Sequence, residues 1–441
     1  MSDRAETRLL AALLCLAALL SGCALLPGDD EADAVPPSAS FAAPEPVVDR
    51  ISAVLRQRAR AVRDGDLRRF RRGLVPGKQG RDFREQQVAH LEDLTALPLA
   101  DLGYSFDPRD VLRVDDSYWV VVRVATQLRG FDAVPVVTRD RYLFSPDRQG
   151  RLRLASVTDP EWEARNALHP QPWDVGDVEV RETAGVLGVF DEQTVADADV
   201  VLDSVRRGIT DVSVTLPYDW SHQVVVYSFA DDRFLAGIEQ VPGGDPDVLD
   251  GIAFPVLADP RADGSPIAST RFLLNDRMLD RDPRTLDRLV RHELTHVALG
   301  ERDDLAPLWL SEGVAEWVSV RPLAPEDRVL DSDALAAARL GLEPGAGLDL
   351  PDSETFNSVS SGVHYGLSWW ACEALVEDYG PDVLWNLLDR VAATEAVAAD
   401  VPLGAGAPAD QRGRDALGAL TGLTTAELAR KAARRMVASY G

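Results

Sequence analysis

His292-Glu293-Leu294-Thr295-His296 and, a little further on, Pro307-Leu308-Trp309-Leu310-Ser311-Glu312-Gly313-Val314-Ala315-Glu316-Trp317 are the stretches that decide how this chain reads. Around the first, Leu286, Leu289, Val290, Val297 and Leu299 recur at helical spacing, which predicts a helix from about Arg284 to Leu299. Gly300 follows, where a helix commonly stops. Histidines four apart on a helix project from one face, so His292 and His296 can reach a single ion. Glu293 sits beside them, placed to take a proton from a water held there. A catalytic zinc keeps three protein ligands and one open position, so a third ligand has to come from elsewhere.

The second stretch supplies that context. Together the two resemble the gluzincin peptidases, the thermolysin-like and aminopeptidase-like clan, over roughly residues 180–441. The second helix of that clan carries a ligand glutamate, often in a Trp-Leu-Asn/Ser-Glu-Gly-x-Ala setting. The resemblance implies Zn2+ bound by His292, His296 and Glu312, with Glu293 as general base. It also implies that Glu316, one turn after Glu312, receives the N–H of a ligand histidine. In gluzincins a Tyr or His from a later helix stabilises the oxyanion. Here Val363-His364-Tyr365-Gly366 opens the next helical segment, which points to Tyr365 first and His364 second. The clan aligns substrates on an edge strand, for which Gly251–Pro255 and Arg271–Asn275 are the candidates. Fifteen residues separate His296 from Glu312, fewer than in thermolysin or the aminopeptidases, so Asp303 and Asp304 stay open as alternative ligands. The metzincin pattern fails, because its third histidine would fall at Arg302.

The N-terminus reads as a leader. Arg4 and Arg8 precede an apolar run from Leu9 to Leu20, the length of a signal-peptide core and short for a bilayer span. The run ends in Leu20-Ser21-Gly22-Cys23, which resembles the lipobox of bacterial lipoproteins. That resemblance implies cleavage after residue 22 and a lipid on Cys23, with the protein held at the outer face of the cell membrane. Residues 23–46 are rich in Ala, Pro and acids and read as a disordered tether. Of the other cysteines, Cys15 lies in the leader and Cys372 stands alone, so no intrachain disulfide and no Cys-based metal site is expected. With 46 basic and 72 acidic residues the formal net charge is -26, which argues against a nucleic-acid partner.

Two further units follow the tether. Residues 47–158 read as an α+β domain: a helix through Val47–Leu74, a second over Phe83–Leu97, then strands at Tyr118–Val124, Val134–Phe144 and Leu152–Val157. Helices followed by a curled antiparallel sheet resemble the NTF2-like fold. Residues 159–180 read as a linker, and 181–441 as the gluzincin-like domain with a small mixed sheet and a helical C-terminal lobe. Within it, Val195–Val205 reads as a helix, Gln223–Phe229 as a buried strand, and 395–413 as a loop. His90, His169 and His222 are scattered and read as structural or exposed. The expectation is therefore an α+β, lipid-anchored, extracytoplasmic zinc peptidase acting on peptides or proteins. The alternative is a metallopeptidase-like lipoprotein that binds a partner in the envelope and cleaves nothing.

Overall fold

Apolar residues at helical spacing place three helices ahead of any strand: α1 (Glu45–Arg63), α2 (Leu67–Arg72) and α3 (Arg81–Ala96). The computed structural model describes residues 44–78, 80–166, 168–234, 250–395 and 406–441. The leader, Cys23 and the tether up to residue 43 lie outside the described residues. The single helix expected over 47–74 is broken at Asp64-Gly65-Asp66. Gly65 takes φ +61°, and the Asp66 carboxylate accepts from Arg69 N at 2.9 Å to start the next helix. That combination of left-handed glycine and N-cap aspartate overrides the apolar period across it.

Five strands follow: β1 (Leu99–Ser105), β2 (Leu112–Val114), β3 (Ser117–Leu128), β4 (Val136–Pro146) and β5 (Leu152–Ser156). They form an antiparallel half-barrel in the order β1-β3-β4-β5, with β2 paired to β3. Along β3 the period of two is clear: Val120 and Val122 are buried and Arg123 is exposed. β1, which the sequence reading did not expect, pairs Leu102 with Thr126 and Tyr104 with Val124.

Two short helices, α4 (Pro160–Glu163) and α5 (Pro172–Val175), lead into a second sheet. Its strands are β6 (Glu179–Thr183), β7 (Val186–Phe190), β8 (Val224–Phe229), β9 (Gly251–Leu257) and β10 (Ile267–Asn275), in the order β6-β7-β8-β10-β9. The three central strands are parallel and the two outer ones antiparallel to their neighbours. Helix α6 (Ala198–Thr215) crosses from β7 to β8 and runs well past the expected Val205. The remaining helices are α7 (Pro283–Leu299), α8 (Glu301–Leu305), α9 (Leu308–Val320), α10 (Ser332–Gly341), α11 (Ser361–Tyr379), α12 (Asp382–Glu395), α13 (Gly406–Thr421) and α14 (Thr425–Tyr440). Residues 406–413, expected as loop, are the first part of α13. No helix among the described residues is long and apolar enough to cross a membrane.

The second sheet is covered on both faces, which is why β7 and β8 read as unbroken apolar runs. Val186, Phe190, Val224, Val226, Phe272 and Leu274 point into a core shared with α6, α7, α9 and α11. Leu187, Val189, Val225, Tyr227 and Leu273 point into a core shared with the half-barrel. Each fully buried aliphatic or aromatic side chain stabilises by about 1.5–3 kcal/mol. Trp173 of α5, 3% exposed, is part of that second core.

A buried polar network crosses the apolar contact between the sheets. Arg271 on β10 is 1% exposed and donates to Asp132 Oδ1 at 2.7 Å and to Gln171 Oε1 at 2.7 Å. Ser269 Oγ, the hydroxyl of Tyr227 and the Leu128 amide complete the network around Arg271 and Asp132. A buried ion pair is tolerated when its remaining donors and acceptors are met, as they are here.

Candidate metal centre

Helix α7 is set by its ends. The Asp282 carboxylate accepts from Arg284 N at 3.0 Å and Thr285 N at 3.2 Å, and Pro283 takes the first helical position. Gly300 closes the helix at φ +55°. Between them Leu286, Val290 and Leu294 bury one face in the core. His292, Glu293 and His296 are also buried, at 7%, 4% and 8% exposure.

Helix α9 brings Glu312 to the histidines. His292 Nε2 lies 3.1 Å from Glu312 Oε2 and 3.2 Å from His296 Nε2, and His296 Nε2 lies 3.5 Å from Glu312 Oε2. Tetrahedral bonds of about 2.0–2.1 Å put neighbouring donor atoms about 3.3–3.4 Å apart. The triangle therefore fits an ion as it stands. Among the described residues, these three form the one group of His, Cys, Asp or Glu side chains able to converge on a metal. It is a buried His-x3-His plus Glu site on helices, of the kind found in metallohydrolases.

The connector that makes this geometry reachable is short. Gly300 turns the chain, α8 makes little more than one turn, and Pro307 starts α9. In doing so α8 lays Asp303 against the far nitrogen of His296, with both carboxylate oxygens 3.0 Å from Nδ1. Ser311 Oγ donates to the same carboxylate. Asp303 thus holds His296 from behind instead of joining the ligand triangle, and Asp304 is not in that triangle either. On the other histidine, His292 Nδ1 lies 3.2 Å from Glu316 Oε1, close but off the line of a well-formed hydrogen bond. Both imidazoles have a carboxylate behind them, the arrangement that fixes tautomer and ring orientation in metal sites. The Asp303–Ser311 clamp was not legible in the sequence, because it depends on the turn at Gly300.

Charges in the centre are strongly coupled. Burial alone would lower the pKa of His292, but Glu312 and Glu316 outweigh it and raise it to about 9. For His296, Asp303 and Glu312 overcome burial in the same way and hold it well above the usual imidazole range. Burial would raise both glutamates. The charge on His296 and the bonds from both imidazoles instead pull Glu312 well below the carboxylate range, and Arg288 with His292 brings Glu316 to about 2. Glu293 differs. Burial dominates and raises its pKa against the pull of His292 and His296, with a smaller opposing pull from the Ala253 backbone. A carboxylate raised in this way is a better proton acceptor than a free one.

Ala253 belongs to β9, an outer strand of the second sheet; β10 is internal. Of the two segments expected to supply an edge, Gly251–Pro255 is therefore the one at the border. Pro255 fits there, since proline in a sheet is confined to edges and bulges. A Cβ on Gly251 would come within 3.1 Å of Glu293 Oε1, so glycine lets this strand pass close to the carboxylate.

Helix α11 closes the remaining side. Gly313 makes this possible: a Cβ there would sit 2.7 Å from the Ser368 carbonyl and 2.9 Å from Cys372 Sγ. The Tyr365 side chain faces the glutamates of the centre, and burial, reinforced by Glu312 and Glu293, raises its pKa well above the ordinary phenol value. Its ring lies 6.1 Å from that of His292 and stands edge-on to Phe356. His364 is held elsewhere, its Nδ1 donating to the Phe356 carbonyl at 2.7 Å. His90 packs against the Trp173 carbonyl at 2.9 Å and His222 against the Trp220 ring; neither these nor His169 joins the cluster.

No protein-family model matches the sequence, and no curated protein is significantly similar to it.

Proposed function

We propose that this chain is a gluzincin-type zinc peptidase, anchored by a lipid on Cys23 at the outer face of a bacterial membrane. The observation that carries the reading is the buried triangle of His292, His296 and Glu312, with Glu293 beside it and a carboxylate behind each histidine. Two imidazoles and one carboxylate suit zinc, which when bound supplies a Lewis acid for the scissile carbonyl and brings the pKa of a water toward about 7.

The chain's own residues account for the rest. Glu293 accepts the proton of the attacking water and delivers it to the leaving nitrogen. Strand β9 packs against that carboxylate at Gly251. Tyr365 supplies an O–H to the oxygen on which negative charge develops. The edge of β9 offers backbone groups for an extended peptide running past the centre. His364, bonded to the Phe356 carbonyl, is left with a supporting place in the wall.

The test is hydrolysis of a mixed peptide library by the zinc-loaded full-length chain in detergent. Glu293→Gln is expected to keep zinc and lose about 10²–10⁴-fold in kcat. Tyr365→Phe is expected to lose about 10²–10³-fold with zinc binding unchanged. Wild-type protein that holds zinc and cleaves nothing would favour a metal-binding envelope protein instead. Anchoring is tested separately by radiolabelled palmitate in a bacterial host. Label on the wild type and none on Cys23→Ser is the expected result; label on both would remove Cys23 as the anchor.

A further inference from the structure

Arg288 lies on α7 one turn before His292. Its Nη2 donates to Glu316 Oε2 at 2.5 Å, and its Nη1 donates to the Val329 carbonyl at 3.0 Å. The guanidinium also sits over the ring of Trp369, 5.5 Å from the centroid, on the same helix as Tyr365. The contact is sheltered, with Arg288 27% and Glu316 16% exposed.

Glu316 therefore has one partner on each oxygen, Arg288 on Oε2 and His292 on Oε1. The two contacts differ in quality. The arginine bond is short and aligned, while the His292 contact is off line. The position of the carboxylate is thus set from the arginine side. A guanidinium fixed at two points and stacked on an aromatic ring is a rigid support that a lysine cannot reproduce.

We infer that Arg288 is a positioning residue of the metal centre: it holds Glu316 against His292 Nδ1, and ties that setting to the helix that carries Tyr365. The inference rests on the zinc reading above. Arg288 is not one of the three side chains that converge on the candidate metal position. Its effect runs through Glu316 to the orientation of one ligand ring, and such supporting contacts change metal affinity about 10–100-fold.

The experiment is a double-mutant cycle read as zinc affinity, by competition with a chromophoric chelator, on the full-length chain. Arg288→Met and Glu316→Ala are each expected to weaken zinc about 10-fold or more. The double variant is expected to bind no more weakly than Glu316→Ala alone, because both changes remove one unit. Arg284→Met, also on α7 but exposed and paired with Asp327, should bind as wild type. If Arg288→Met does not fold, Arg288→Lys replaces it, with a smaller loss that again vanishes in the Glu316→Ala background. Wild-type affinity in Arg288→Met, or losses that multiply in the double variant, overturn the inference alone. A wild type that takes up no zinc overturns the metal reading and this inference with it.

Discussion

Glu316 shows how a single residue in this centre is balanced. Burial pushes its carboxyl toward the neutral form, and Arg288 and His292 push harder the other way, leaving it at about 2. Its ordinary value of 4.5 applies to the unfolded chain. A carboxyl lowered on folding contributes stability that is complete above pH 4.5 and is lost as the pH falls toward 2. Urea unfolding of zinc-free wild type and Glu316→Gln measures this. The gap should be on the order of 3 kcal/mol at neutral pH and shrink below about pH 4.5. A gap that does not change with pH would remove the ion pair as its source. His292, raised to about 9, reports the same contacts from the other side and adds no separate amount.

At the scale of the element, legibility followed local chemistry. Helix α7 was readable nearly to the residue, because the apolar period and Gly300 at its end agree. Helix α9 was readable from Trp309 to Trp317 for a different reason: ligand, glycine and apolar positions share one short segment. Gly313 explains the glycine of that segment, since α11 packs where its side chain would be. Long-range placement was not readable. The break at Gly65 hid under a continuous apolar period, and β1 has little alternation of its own. Asp303 lies two turns past His296 in sequence, and only the Gly300 turn and α8 bring it to Nδ1. Arg288 looked like any other arginine in a chain with two lysines.

At the scale of the described residues, the second sheet is the organising element, since it belongs to two cores at once. Alternate residues of β7, β8 and β10 serve the half-barrel on one face and the helices of the candidate site on the other. Arg271 and Asp132 lock the half-barrel side, both 1% exposed in their side chains. Arg271→Met leaves Asp132 buried without its cation, and should cost about 3–5 kcal/mol in denaturant unfolding. A loss under about 1 kcal/mol would mean that this ion pair does not help hold the two sheets together. The net charge of -26 favours a well-hydrated surface and gives no basis for a nucleic-acid partner. The most direct test of the candidate metal centre is zinc content by mass spectrometry on the full-length chain beside its Glu312→Ala variant. About one zinc per wild-type chain and little or none in the variant is the expected result. No zinc in reconstituted wild type, or equal zinc in both proteins, would rule out a zinc site built on Glu312.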